Sequence, residues 1–182
     1  TTCIKCHNIA NKEEVKSTYA LSKHATGTTY LRGQGAGGVT CSQCHASQGY
    51  IQYIATGAVD QVGYTTALPL TCTTCHSEHT TFDFENDGYD YALRNFEPVK
   101  LVIDNTTIIN FEGSSNNCIT CHQPRNSYPV PGGTGTVTIN SSRYGPHHGP
   151  QATMLEGIMG ANVPGTVAYP AAGSAAHRKG SS

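Results

Sequence analysis

Residues 72–79 read Cys72-Thr73-Thr74-Cys75-His76-Ser77-Glu78-His79. Two thiols three positions apart, with a histidine joined directly to the second, form a chemical unit that recurs three more times. The other copies are Cys3-Ile4-Lys5-Cys6-His7, Cys41-Ser42-Gln43-Cys44-His45 and Cys118-Ile119-Thr120-Cys121-His122. Together the four copies use all 8 cysteines of the chain. A shuffled chain with the same cysteine and histidine content would hold only about 0.02 copies, so chance does not account for four. The spacing is that of c-type haem attachment. Each thiol adds to one vinyl group of the porphyrin, and the adjoining histidine is thereby set under the ring as an iron ligand. Cys3, Cys6, Cys41, Cys44, Cys72, Cys75, Cys118 and Cys121 are therefore the expected attachment points of four covalent haem c groups, with His7, His45, His76 and His122 as proximal ligands.

Other uses of paired cysteines fit less well. A zinc ribbon also pairs Cys-x-x-Cys units, but it does not require a histidine after every second cysteine. A thioredoxin-like redox pair needs one motif, at a strand-to-helix junction, and a disulfide scaffold needs no histidines.

Composition agrees with a chain organised by cofactors. Of 182 residues, 37% are hydrophobic, with 20 Gly, 9 Pro and no Trp, which leaves little side-chain material for a core. Large flat apolar porphyrins, fixed by thioethers and iron bonds, can replace that core and constrain loops as disulfides do in small secreted domains. The motifs start 38, 31 and 46 residues apart, too unevenly for a solenoid and too closely for independent domains. The expectation is a multihaem cytochrome: a single domain, residues 1–182, mostly irregular coil with a few short α-helices and a minor β-hairpin, wrapped around a row of four haems. With 11 Lys+Arg against 12 Asp+Glu, nothing points to nucleic acid or an acidic membrane face. No run reaches the eighteen or so apolar residues of a membrane span. Haem is attached outside the cytoplasmic membrane, so export, a removed signal peptide and an extracellular location are expected. The sequons at Asn105 and Asn140 would suit such a surface.

Local patterns place some elements. Asn11 with Glu14 resembles a capping box, and Val15 and Tyr19 share a face, so a helix is expected over about residues 12–22, delivering His24 just beyond its end. Val99, Leu101 and Ile103 alternate, the chain turns near Asp104-Asn105, and Ile108, Ile109 and Phe111 follow: a β-hairpin. A short helix is expected after Pro150, ending by Gly160, with Met154 and Met159 in its core rather than on iron. Residues 33–38 and 132–138 read as loops.

Five histidines remain outside the motifs: His24, His79, His147, His148 and His177. They face four vacant sixth positions, which favours bis-histidine iron throughout, closed to small substrates and suited to electron transfer. His79 is too near His76 to clasp the same iron from the other side, so it is expected to reach a neighbouring haem. His147 and His148 are adjacent, and in extended chain they would point to opposite sides and to two haems, or one of them is an ordinary histidine.

His24 and His177 open the same pattern, His-x-x-Gly followed by two hydroxyl residues, in His24-Ala25-Thr26-Gly27-Thr28-Thr29 and His177-Arg178-Lys179-Gly180-Ser181-Ser182. Seventeen residues after His24 comes Cys41, whereas the five residues after His177 hold no such motif. If the two stretches act alike, the iron of His177 belongs to the next molecule, whose own first residues carry Cys3, Cys6 and His7. A ligand passed head to tail in this way generates an open polymer. The competing reading folds His177 back onto its own chain.

Four Cys-x-x-Cys-His motifs, the stretch Cys75-His76-Ser77-Glu78-His79, the later run from Pro146 to Gly157 and extra histidines towards both ends resemble the extracellular tetrahaem cytochromes that polymerise into nanowires. The resemblance implies haems stacked in an unbroken line and an axial histidine supplied by one subunit to the next. It implies an electron conduit rather than an enzyme, with itself and redox proteins as partners. The alternatives are a soluble periplasmic tetrahaem shuttle and, less in keeping with the surplus histidines, a multihaem reductase with one open iron.

Overall fold

A computed structural model describes residues 2–60, 62–79, 83, 86, 91–124, 136, 138, 151–158, 164–174 and 176–179. His147, His148, Met159, the sequon at Asn140 and nearly all of the expected loop 132–138 lie outside the described residues. The contacts of the polypeptide divide it into two compact units, Thr1–Phe96 and Glu97–Ser182. The single domain expected from motif spacing was a chain gathered around cofactors, and the protein's own packing draws a boundary between the third and fourth motifs.

The first unit is helical: α1 (Thr2–His7), α2 (Ile9–Leu21), α3 (Lys23–Thr26), α4 (Val39–His45), α5 (Ser47–Thr56) and α6 (Cys72–Cys75). Helix α2 starts three residues earlier than the Asn11 pattern implies. Asn8 is its cap, accepting the Asn11 N–H at 2.8 Å, so Asn11 lies inside the first turn. Ser22 ends α2 and caps α3, accepting from the Ala25 N–H at 3.3 Å, which sets His24 on the short helix just past the long one. Of the stretch 33–38 expected as loop, Gly33 ends one 3-10 turn, Thr29–Gly33, and Ala36–Gly38 form another, with Gln34 and Gly35 between them.

Helices α4 and α5 pack almost backbone to backbone. A Cβ on Gly49 would stand 2.3 Å from the Ser42 carbonyl oxygen, and one on Gly33 would stand 2.9 Å from the Ser42 Cα. Only glycine allows this approach, and it buries Ser42 completely, at 0% exposure. Tyr50, the next residue of α5, is buried too, as are Val39 and Ala46. By contrast, α2 buries no residue along its length, and Ile9, Val15 and Leu21 lie open. A helix of 13 residues with no buried face is marginal by itself in water. Tyr19, which donates its hydroxyl to the Leu70 carbonyl, ties it to the rest of the unit.

The second unit holds the expected hairpin, in short form. Strands β1 (Val99–Lys100) and β2 (Ile108–Ile109) pair antiparallel, Val99 opposite Ile109 and Lys100 opposite Ile108. Asp104 closes the turn by accepting the N–H groups of Thr106 and Thr107, both at 2.9 Å, and the Thr107 hydroxyl at 2.5 Å. Asn105 stands exposed at the tip with φ 55°. Three short helices follow: α7 (Ser115–Ile119), α8 (Gln151–Glu156) and α9 (Ala176–Lys179). Val99, Leu101, Ile109, Ile119 and Ala152 form the core, with Ile103 and Phe111 packed on its edge. Helix α8 turns Ala152 and Thr153 inward and leaves Met154 44% exposed, so Met154 is not the core residue that the sequence pattern implied. Among the described residues no helix is long and apolar enough to cross a membrane.

Candidate haem-attachment sites

Every motif begins on a helical turn: α1, α4 and α6 carry the first three, and α7 carries Cys118. The third and fourth motifs reach their histidines just past the helix end. Helical winding puts positions three apart on one face, so the two thiols of a motif lie together. In the second, third and fourth motifs at least one residue between them turns the other way, into the protein, whereas Ile4 of the first is exposed. Ser42 in the second motif, Thr74 in the third, and Ile119 with Thr120 in the fourth are all buried. None of the described thiols is buried. Cys3, Cys72 and Cys118 are exposed, and Cys41, Cys44, Cys75 and Cys121 are half-buried. The Cys6 side chain lies outside those described.

Cysteine is ordinarily among the most buried residue types, so thiols kept at the surface by buried neighbours are unusual. The arrangement fits a group that lies on the protein and bonds to it from outside. A haem iron takes four ligands from its own ring and asks two of the chain. Among the described residues no cluster of three or more His, Cys, Asp or Glu converges on a point, and a haem requires none.

The third motif has the most complete setting. Residues 91–94 run back alongside it: Ser77 N–H donates to the Ala92 carbonyl at 2.7 Å, Arg94 N–H to the Cys75 carbonyl at 2.8 Å, and Arg94 Nε–H to the Thr73 carbonyl at 3.1 Å. His76 and Leu93 form an antiparallel bridge. Within this clamp the His76 Nδ1 lies 2.8 Å from the Tyr91 carbonyl oxygen. A carbonyl only accepts, so Nδ1 carries a proton, and in the neutral ring the lone pair is on Nε2. Metal-ligating histidines are commonly fixed in this manner, by a second hydrogen bond that sets the tautomer and the ring orientation. Tyr91 and Ala92 adopt φ 53° and φ 52°, a left-handed pair of non-glycine residues that costs about 1–3 kcal/mol each. That conformation aims the Tyr91 carbonyl at the imidazole. Below the motif, the Thr74 hydroxyl meets that of Ser47 at 2.7 Å and accepts the Thr71 N–H at 2.8 Å, which joins α6 to α5.

The fourth motif is fastened by its flanks. Gln123 donates to the Thr120 carbonyl at 2.9 Å while its own side-chain oxygen accepts the Val102 N–H at 2.8 Å. The Ala152 N–H donates to the His122 carbonyl at 3.1 Å, so α8 holds the motif's histidine by its backbone. In the first unit His7, on α1, and His79, just past the third motif, lie with ring centroids 6.2 Å apart and planes at 77°. Sequence reasoning sent His79 to a neighbouring motif without saying which.

His24 and His177 occupy matching places. Each is the second residue of a four-residue helix, Lys23–Thr26 and Ala176–Lys179, and each is exposed. The residue after His177 is an anchor: Arg178 pairs with Glu156 at 2.7 Å, donates to the Asn110 carbonyl at 2.8 Å, and sits 5.1 Å over the Phe111 ring. Fixing Arg178 inward leaves His177 facing out. Neither the Tyr91 carbonyl nor this anchor was foreseen from sequence. The first is a backbone group with no residue signature, and the second joins positions 22 and 68 residues apart.

No family model matches the chain, and neither the curated proteins nor the solved structures contain a match to it. The functional reading therefore stands on its own residues.

Proposed function

We propose that this chain is an electron conduit that holds four covalent c-type haems, each iron closed by two histidines, and that it joins copies of itself head to tail outside the cell. One observation carries the reading. Four Cys-x-x-Cys-His units sit on helical turns, three of them seated on a buried middle residue (Ser42, Thr74, Ile119 with Thr120) while no described thiol is buried, and in one of them a backbone carbonyl fixes the imidazole in the ligating tautomer. When bound, the haems supply one-electron chemistry that protein side chains lack. The chain's part is to fix each ring by two thioethers, to hold the imidazoles in place, and to shield the iron from small ligands.

Two further observations support it. Among the described residues few apolar side chains are buried, and Ile4, Ile9, Val15, Leu21, Leu31 and Val62 are exposed, as in a fold completed by apolar cofactors or by its neighbours. The exposed His177 on its anchored helix supports donation of an axial ligand to a haem of the adjoining molecule. A ligand offered from one surface to a different surface of the next copy propagates a filament.

Two measurements separate the competing readings. The reduced protein is expected to bind no carbon monoxide, whereas uptake at any iron would mark an open site and a reductase. Electron microscopy is expected to show filaments that are lost in His177→Ala with haem content unchanged. Dispersed wild-type particles would make the molecule a soluble shuttle, and filaments that persist in His177→Ala would reject the donated ligand.

A further inference from the structure

We infer that His79 is the second axial ligand of the iron carried by Cys3, Cys6 and His7. The inference rests on the haem reading above and deepens it, because it names one complete ligand pair. The evidence is the juxtaposition of two histidines 72 positions apart. His7 closes the first attachment motif, and His79 belongs to none.

The separation of the rings is informative. Two imidazoles on opposite sides of one metal each bond at about 2 Å, and each ring centroid lies about 1.1 Å behind its nitrogen, so the centroids of such a pair stand about 6.3 Å apart. The observed value is 6.2 Å. The rings therefore stand at the separation of a ligand pair, which also lies within the range of edge-to-face contacts, so the assignment rests on the path of the chain as well. Crossed planes, here at 77°, are compatible with coordination because each ring turns independently about its own metal–nitrogen axis.

The neighbouring residues make the same assignment. His76 is held by the Tyr91 carbonyl and serves its own motif, and three residues are too few for His79 to round a porphyrin and meet the same iron. His79 must therefore leave the third motif, and His7 is the proximal ligand it lies beside. Two consequences follow. The first and third haems are neighbours, because His76 and His79 are at most about 11 Å apart along the chain. With its sixth position filled from within, the first haem is also withdrawn as the target of His177 from another molecule. A donated His177 must find a different iron, which leaves the haems of the second, third and fourth motifs.

Counting open irons by carbon monoxide uptake tests the assignment, with the spin state read from the visible spectrum. The wild-type chain is expected to take up none. His79→Ala is expected to open one iron of four, reclosed by added imidazole. The deciding variant is His7→Ala combined with His79→Ala. If the two residues share an iron, the double variant opens one. If they serve different irons, it opens two, and the inference is overturned. Should loss of His7 prevent attachment at Cys3 and Cys6, three haems remain, and then none open supports the pair while one open refutes it. A His79→Ala chain with every iron still closed also refutes it. A wild-type chain without haem would instead remove the underlying reading, an outcome visible before any variant is made.

Discussion

Gly49 lies where α5 crosses the helix of the second Cys-x-x-Cys-His motif, and alanine there tests whether that contact holds the motif in place. A Cβ would stand 2.3 Å from the Ser42 oxygen and 2.4 Å from the Ser42 carbon. Ordinary contact between such atoms begins near 3.5 Å, so the helices must part by roughly 1 Å. The obstacle is backbone, which cannot swing aside as a side chain would. Overpacking of this kind costs about 1–3 kcal/mol, and the upper part of that range applies. Alanine returns about 1 kcal/mol through its better helix propensity. The expected net loss is therefore about 2 kcal/mol. Gly37→Ala is the control, because its Cβ would meet nothing within 4 Å and its backbone is not left-handed. That variant should stay within about 1 kcal/mol of wild type. Urea unfolding followed by circular dichroism reads both. If Gly49→Ala proves as stable as Gly37→Ala, the close packing of α4 on α5 is not what positions Cys41, Cys44 and His45.

Arg178→Ala removes the ion pair to Glu156 and the bond to the Asn110 carbonyl, and should loosen α9 by about 1–3 kcal/mol. Hydrogen exchange over residues 176–179 should rise by one to two orders of magnitude, with Arg178→Lys intermediate because an ammonium cannot fork to both partners; unchanged exchange would show that the anchor is idle. Hydrogen bonds from the Thr107 hydroxyl and then from the Thr106 and Thr107 N–H groups lower the Asp104 pKa from 3.8 to about 2. A depressed carboxylate stabilises the fold above its unfolded value, so the hairpin turn keeps its full contribution above pH 3.8 and loses it as pH falls through about 2. The amide resonances of Thr106 and Thr107 should follow that transition, and a midpoint near 3.8 would mean the turn is open in solution.

The sequence was most legible where chemistry or alternation is local. Cys-x-x-Cys-His is read directly, and alternating Val99, Leu101 and Ile103 place a hairpin because its partner strand follows within a few residues. The start of α2 was misread because Asn8 and Asn11 are both competent caps, and the turn already begun in α1 carries on through Asn8, whose N–H donates to the Ile4 carbonyl at 3.1 Å. Met154 was misplaced because six residues give too little periodicity to choose an inner face. The bond from Ala152 N–H to the His122 carbonyl makes that choice, and it depends on tertiary packing. The left-handed pair Tyr91 and Ala92 has no glycine or asparagine to announce it. The approach of His79 to His7 depends on the path of the whole first unit, so local reading could send His79 away from the third motif but could not name its destination.

The most direct measurement is the intact mass of the chain, matured in a host that exports it and attaches haem, set beside the visible spectrum of the same sample. The expected result is the polypeptide plus four haems, with a low-spin spectrum and no cysteine open to alkylation. A colourless chain at the mass of its amino acids, or one carrying zinc with its thiols intact, would contradict the account.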